Sequence, residues 1–270
     1  MAIVSVLMPA YNCERFIGEA IESVLNQTFT NFELVIIDDC STDGTWDVIL
    51  SYAKKDARIK AFQNEKNLKI VKTRNRLFDL ASGKYYAIFD ADDVMVPTRL
   101  EEQVAFLKRY KNYGAVGSST VIIDGNSRKI GFRKYPCSNS DIRKKIFKFN
   151  PFAQPSMMVR ASVIDDVGVY RKEGFDRARD YDLWLRIFEK NKMYNFEKPL
   201  LKYRVSKTQG KKTHLKETLR STVALKKKWV VRKGTFSDVL YLFLERILLL
   251  FPERFVLWLF KKVRYSKKSL

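Results

Sequence analysis

Three carboxylates close an apolar run: Tyr85-Tyr86-Ala87-Ile88-Phe89 leads straight into Asp90-Ala91-Asp92-Asp93. Asp90 and Asp92 are two residues apart, so extended backbone points both side chains the same way. Such a pair can hold a hard divalent cation and leave places for phosphate oxygens. Alone, Asp-x-Asp is more often a solvated acidic turn than a site. Two further apolar runs end in polar groups: Ile3 to Met8 runs into Pro9-Ala10-Tyr11-Asn12, and Leu34 to Ile37 into Asp38-Asp39. An aromatic ring can stack on a base, and a carboxylate can accept hydrogen bonds from a base imide or a ribose. Together the three endings describe a nucleoside-diphosphate site built without a glycine loop. A fourth block, Arg179-Asp180-Tyr181-Asp182-Leu183-Trp184-Leu185-Arg186, sets two carboxylates in the first turn of a helix. Helix polarity stabilises a carboxylate there, so either residue is a capping aspartate or a chemical group.

These residues need a scaffold that brings their runs to one edge. The runs at 3–8, 34–37 and 85–89 are short, partly β-branched and bounded by turn residues, which predicts buried strands. A further short strand is predicted at 59–62. Phe16, Ile17, Ala20, Ile21, Val24 and Leu25 recur at helical spacing, with Asn12 placed to cap that helix. Trp46, Ile49 and Ala53 mark a second helix, and Ile70, Arg74, Leu77 and Phe78 a third. Alternating strands and helices predict a doubly wound parallel sheet with its ligand outside the carboxyl ends of the strands. Beyond it, Pro97 suits the first turn of a helix through Leu100 and Leu107, and 116 and 121–123 predict separate strands.

Composition sets limits. The 270 residues suffice for one large α/β domain with an appendage. Three scattered cysteines without Cys-x-x-Cys argue for a reducing compartment and against a zinc site. No signal peptide or membrane-spanning run is expected. The net charge is +21, of which residues 207–270 carry +13 and residues 1–206 only +8. That break predicts a boundary near Ser206, and a basic appendage draws an anionic partner.

The blocks Val4-Ser5-Val6-Leu7-Met8-Pro9-Ala10-Tyr11-Asn12, Ile36-Ile37-Asp38-Asp39-Cys40-Ser41-Thr42-Asp43-Gly44-Thr45, Thr73-Arg74-Asn75 and Phe89-Asp90-Ala91-Asp92-Asp93 resemble the inverting family 2 glycosyltransferases. The resemblance covers residues 3–206 and implies the GT-A fold, an α/β architecture with a mixed, mostly parallel sheet flanked by helices. It also implies a donor half at 1–94 and an acceptor half at 95–206. Carried over by position, Pro9, Ala10, Tyr11 and Asn12 line the nucleoside pocket, Asp39 meets the base and Arg74 lies toward the donor. Asp90 contacts the ribose, Ala91 lies between, and Asp92, with Asp90, meets Mn2+ or Mg2+. The block at Asp180 resembles the family's segment whose second residue is the general base. Gln154, Ser156 and Asp182 fall where acceptor contacts are expected. Lys69 and Arg76 stand where the family often has glycine, and Arg179 where it often has glutamate.

The implied partners are a nucleotide-sugar donor, a saccharide or lipid-linked acceptor and an anionic membrane surface, with no specific nucleic acid. The implied place is the cytoplasmic face of the cell membrane, held peripherally. Residues 207–270 are expected to form basic amphipathic helices, split at Pro252, that lie in the headgroup layer or pack on the domain. His214, the only histidine, is expected in solvent. Two other functions compete. A sugar nucleotidyltransferase would need a glycine- and cation-rich triphosphate loop after its first strand, and 9–15 lacks one. A basic nucleic-acid-binding protein fits the charge but shows no recognition motif.

Overall fold

The computed structural model describes residues 2–171, 177–205, 215–252 and 256. The first half alternates strictly: β1 (Val4–Ala10), α1 (Glu14–Leu25), β2 (Phe32–Asp38), α2 (Thr45–Ala53), β3 (Ile59–Gln63), α3 (Lys69–Leu80) and β4 (Tyr85–Ile88). These strands lie parallel in the order β3-β2-β1-β4. Period-two packing explains their unbroken hydrophobicity. Val6, Met8, Leu34 and Ile36 face Ile17, Ile21 and Val24 of α1, while Leu7, Val35 and Ile37 face Leu77 and Phe78 of α3. Gly83 lets β4 start against β1: a Cβ there would lie 2.6 Å from the Ser5 nitrogen.

The second half continues the sheet with changes of direction. It runs β5 (Val94–Met95), α4 (Arg99–Arg109), β6 (Tyr113–Ile123), β7 (Lys129–Arg133), α5 (Asn139–Lys145), a 3-10 turn (Gln154–Ser156), β8 (Met158–Arg160), α6 (Ala161–Val167), α7 (Arg179–Lys190) and β9 (Lys192–Arg204). The full order is β3-β2-β1-β4-β8-β6-β9-β5, with β7 paired to β6. β8 is antiparallel to β4 and β6, whereas β9 runs parallel to β6. The result is the expected mixed sheet flanked by helices. The separate strands expected at 116 and 121–123 are one strand, β6. Pro97 precedes Thr98, the N-cap of α4, instead of lying inside its first turn.

Two helices follow, the basic α8 (Leu215–Lys233) and the apolar α9 (Phe236–Leu248). They are divided at Gly234-Thr235, where Thr235 and Asp238 form a capping box. α9 ends ahead of Pro252, and the expected break near Ser206, His214 and most of the apolar run 255–260 lie outside the described residues. α8 packs on the catalytic core through Leu225 and Trp229. Its Lys226, 1% exposed, donates to both Glu245 oxygens at 2.7 and 2.8 Å and to the Lys148 carbonyl. That pair fixes α9 on α8, since a buried cation is tolerated only with a close partner.

Candidate active site

Register brings the three acidic or aromatic strand ends together. Ala10 lies opposite Asp38, and the Phe89 amide donates to the Leu7 carbonyl at 3.1 Å. The Asp39 amide donates to the Ala10 carbonyl at 2.8 Å. Asp39 is buried, and its Oδ1 accepts from Asn64 Nδ2 at 2.7 Å and the Leu68 amide at 2.8 Å. Asp38 is fully buried and spends its oxygens on Ser41 and Gln63. Pro9 and Ala10 are buried at the end of β1, whereas Tyr11 is 48% exposed and available for stacking.

Asn12 does not cap α1. It adopts φ 46°, and its Oδ1 accepts from the Thr42 amide at 2.8 Å, while its amide donates to Ser41 Oγ at 2.9 Å. Asn tolerates that left-handed backbone, so it staples the loops after β1 and β2. Lys69 sits at φ 70°, which explains why glycine is favoured at this place. Arg76 reaches Asn64 Oδ1 and so folds along the end of β3.

Arg74 gathers the rest. Its Nη2 lies 2.6 Å from Asp90 Oδ1, and its Nη1 donates to Gln154 Oε1 at 3.0 Å. Gln154 Nε2 donates to the Tyr170 hydroxyl at 2.7 Å, and the guanidinium stands 5.9 Å from the Tyr170 ring centroid. Burial works against the Arg74 charge, but Asp90, Tyr170 and Asp180 together hold its pKa above the ordinary value. Burial pushes the Tyr170 hydroxyl up to about 12. Asp180 therefore lies within electrostatic reach of the group that pins Asp90.

Asp92 lies toward the start of α1. Burial drives the Cys13 thiol up to about 12, and Asp43 and Asp92 add to the effect. Arg204, 1% exposed, holds the acidic loop from behind: its Nε donates to the Asp92 carbonyl at 2.6 Å and its amide to Asp93 Oδ1 at 2.8 Å. Ala91, between the two carboxylates, is buried. Among the described residues no three His, Cys, Asp or Glu side chains converge on one point. Asp90 and Asp92 form an oxygen-only donor set, with one Asp90 oxygen already engaged by Arg74. That set fits Mg2+ or Mn2+ held by one or two carboxylates and completed by substrate phosphates. It does not form a preformed cage.

Asp180 and Asp182 differ sharply. Asp180 is half-buried in the first turn of α7, and its Oδ2 accepts from Asn150 Nδ2 at 3.1 Å. Asp182 is 1% exposed and neutralises Arg186 at 2.9 Å and Arg171 at 3.3 Å. Ser156 is fully buried, accepting from the Ser118 amide and donating to the Ala153 carbonyl. Asp182 and Ser156 are thus interior groups whose side chains are engaged within the protein. Of the three residues expected on the acceptor side, Gln154 alone joins the cluster.

Four ordered motifs on a sheet of this topology meet an independent match: the profile described as "Glycosyl transferase family 2" covers residues 5–168. The chain belongs to the family 2 glycosyltransferases. It is 35% identical over 243 residues to the putative glycosyltransferase EpsE of Bacillus subtilis, covering 88% of this chain and 86% of that one. It is 29% identical over 235 residues to the Escherichia coli UDP-Glc:alpha-D-GlcNAc-diphosphoundecaprenol beta-1,3-glucosyltransferase WfaP, covering 84% and 86%. Its fold matches the mannosyltransferase PcManGT of Pyrobaculum calidifontis, solved with GDP-Man and Mn2+, at a TM-score of 0.62. That match has 16% identity and covers 92% of this chain and 69% of the other.

This glycosyltransferase also uses residues its motifs do not single out. Asn150, Tyr170 and Arg204 brace the site from distant parts of the sequence, and Arg99 does so from the start of α4. Arg99 donates to the carbonyls of Ile88 and Pro155 at 3.0 and 2.7 Å, and burial lowers its pKa to about 9. Asn150 is the informative one, because it touches Asp180 and nothing else assigned to chemistry. Asn150→Ala is expected to lower kcat about tenfold and leave donor KM unchanged, since it frees Asp180 to rotate. Asn150→Asp places a like charge beside Asp180, which raises a carboxylate's pKa. With Asp180 assigned as the base, as proposed below, the acid limb of the pH–rate profile should move to higher pH, since a base works deprotonated. An unmoved limb would contradict the contact's role.

Proposed function

We propose that the enzyme transfers a sugar from a nucleotide-diphosphate sugar, with UDP as the nucleotide, to a hydroxyl of a saccharide or lipid-linked acceptor. The product would be a cell-surface polysaccharide or its lipid-linked precursor. The observation that carries this reading is the Arg74 cluster, which places Asp90 of the donor side and Asp180 in one electrostatic neighbourhood. WfaP, whose name gives UDP-Glc as donor and a diphosphoundecaprenol-linked sugar as acceptor, supports the substrate classes.

The reaction is one in-line displacement with inversion. Tyr11 stacks on the base, and Asp39 accepts a hydrogen bond from it. Asp180 accepts the proton of the acceptor hydroxyl as the new oxygen–carbon bond forms and the bond to the diphosphate breaks. Arg74 keeps Asp90 oriented toward the ribose. A divalent cation, when bound at Asp92 and Asp90, would offset charge on the departing diphosphate. On this reading Asp180→Asn binds donor normally and loses transfer by about 10² to 10⁴. Asp182→Asn strips the carboxylate from two guanidinium groups and should cost about 3 kcal/mol of stability. Radiolabelled sugar transfer and urea unfolding of both variants check this, and an active Asp180→Asn enzyme would refute the base.

The second part of the proposal places the enzyme on an anionic membrane, at the cytoplasmic face. Among the described residues no helix is long and apolar enough to cross a bilayer. α9 instead presents Phe236, Val239, Leu240, Phe243 and Leu244 outward, at 85, 50, 50, 58 and 52% exposure. Their spacing of three and four makes one stripe along the helix. An apolar stripe beside the basic helix α8 suits the headgroup layer of anionic lipid. The full chain should therefore bind anionic liposomes, less so in high salt, and not neutral ones. Phe236→Ser/Phe243→Ser should weaken that partitioning by about tenfold or more at an unchanged melting temperature. Undiminished sedimentation of the double variant would remove α9 as the anchor.

A further inference from the structure

A cavity of about 170 Å³ opens between the C-terminal parts of α6 and α7 and the second half of α8. No residue assigned to donor or base chemistry lines it. Arg171, Lys190, Lys228 and Arg232 stand at its mouth, Arg186 lies behind them, and Trp229 is 3% exposed in its wall. Asp166 and Glu189 are the carboxylates in the lining. They do not balance it. Lys190 pairs with Asp166 at 2.7 Å, and Arg232 lies 3.7 Å from Glu189, which Lys233 already holds at 2.8 Å. Arg171 and Arg186 share Asp182. Lys228 meets no carboxylate among the described residues. Among the described residues, five lining cations thus face three carboxylates, counting Asp182 behind the wall, which leaves two positive charges in excess. Burial keeps the Arg186 pKa below its ordinary value even with Asp182 in contact, a condition that a second anion relieves. The Trp229 indole N–H is also buried with no acceptor among the described residues.

We propose that this cavity binds a phosphate-bearing group, held by Lys228, Arg232 and Arg171, separately from the donor site. Phosphate matches the excess charge and the guanidinium geometry, because planar forks and a lysine together are the usual recognition set for phosphate oxygens. The group could arrive on a soluble phosphorylated ligand or on the headgroup of an anionic phospholipid presented to α8. The cavity chemistry is the same for both.

Calorimetric titration of pyrophosphate into the full chain, in buffer with EDTA and no divalent cation, tests the site. A saturable isotherm is expected, weakened on the order of tenfold in Lys228→Gln/Arg232→Gln. Both side chains are at the surface, so that variant should keep the melting temperature and the UDP-sugar turnover of the parent. Sedimentation with phosphatidylglycerol or phosphatidylcholine vesicles forms the second arm. Phosphatidylglycerol binding weakened by the double variant identifies a headgroup. Pyrophosphate binding weakened without any vesicle effect identifies a soluble ligand. No saturable binding in either arm, or binding that the double variant leaves intact, overturns the proposal. Sugar-nucleotide turnover is read separately, so failure here leaves the donor assignment standing or falling on its own.

Discussion

The ion pair between Arg74 and Asp90, 2.6 Å long and largely out of water, is the contact on which the site depends. The carboxylates of Asp38, Asp39, Asp90 and Asp92 gather at one edge of the sheet, and their mutual repulsion opposes that arrangement. A guanidinium cannot lose its proton at working pH, so it offers a fixed positive charge among them. Arg74 comes from α3, Asp90 from the end of β4, Gln154 from the turn before β8, and Tyr170 from the loop after α6. One side chain thus joins the parallel half of the sheet to the segments that lead to Asp180.

Other buried cations perform the same service for the backbone. Arg99 and Arg186 donate to carbonyls where the chain changes direction, and Arg204 ties the acidic loop to Glu19 of α1 at 2.6 Å. Desolvating such groups is costly, and each is offset by several hydrogen bonds to fixed acceptors. The consequence bears on the net charge of +21. Lys226, Arg99, Arg204 and Arg186 are interior, but so are Glu33, Asp38, Asp39, Asp93, Asp182, Asp238 and Glu245, so burial does not reduce the positive charge offered to an outside partner. Among the described residues beyond 205, the cations lie mainly on α8, beside the exposed stripe of α9.

The parallel half of the sheet was legible because it is covered on both faces, which makes its strands continuous apolar runs ending in polar groups. The second half was legible only in part: α4 and both ends of β6 were expected, but not that β6 is one strand. β5 and β8 span two and three residues and carry no periodic signal. Asp180 and Asp182 look alike in sequence, since both fall in the first turn of a helix, and only burial against Arg186 separates them. Asn12 had the composition of a cap, yet its backbone turned left-handed and its side chain went to Thr42. Asn150, Arg99 and Arg204 reach the site across 30 to 112 residues of chain, a distance over which spacing carries no information.

In the proposed mechanism Asp90 and Asp92 would hold the donor diphosphate through a cation, with Asp180 across the sugar from it. Crystals grown with UDP and Mn2+, measured at a wavelength that gives manganese anomalous signal, test this directly. An anomalous peak is expected within coordination distance of an Asp92 oxygen and of UDP phosphate oxygens. The uracil is also expected on Tyr11 and the Asp180 carboxylate on the side opposite the diphosphate. UDP bound with its cation away from Asp90 and Asp92, or with Asp180 beside the diphosphate, would contradict the mechanism.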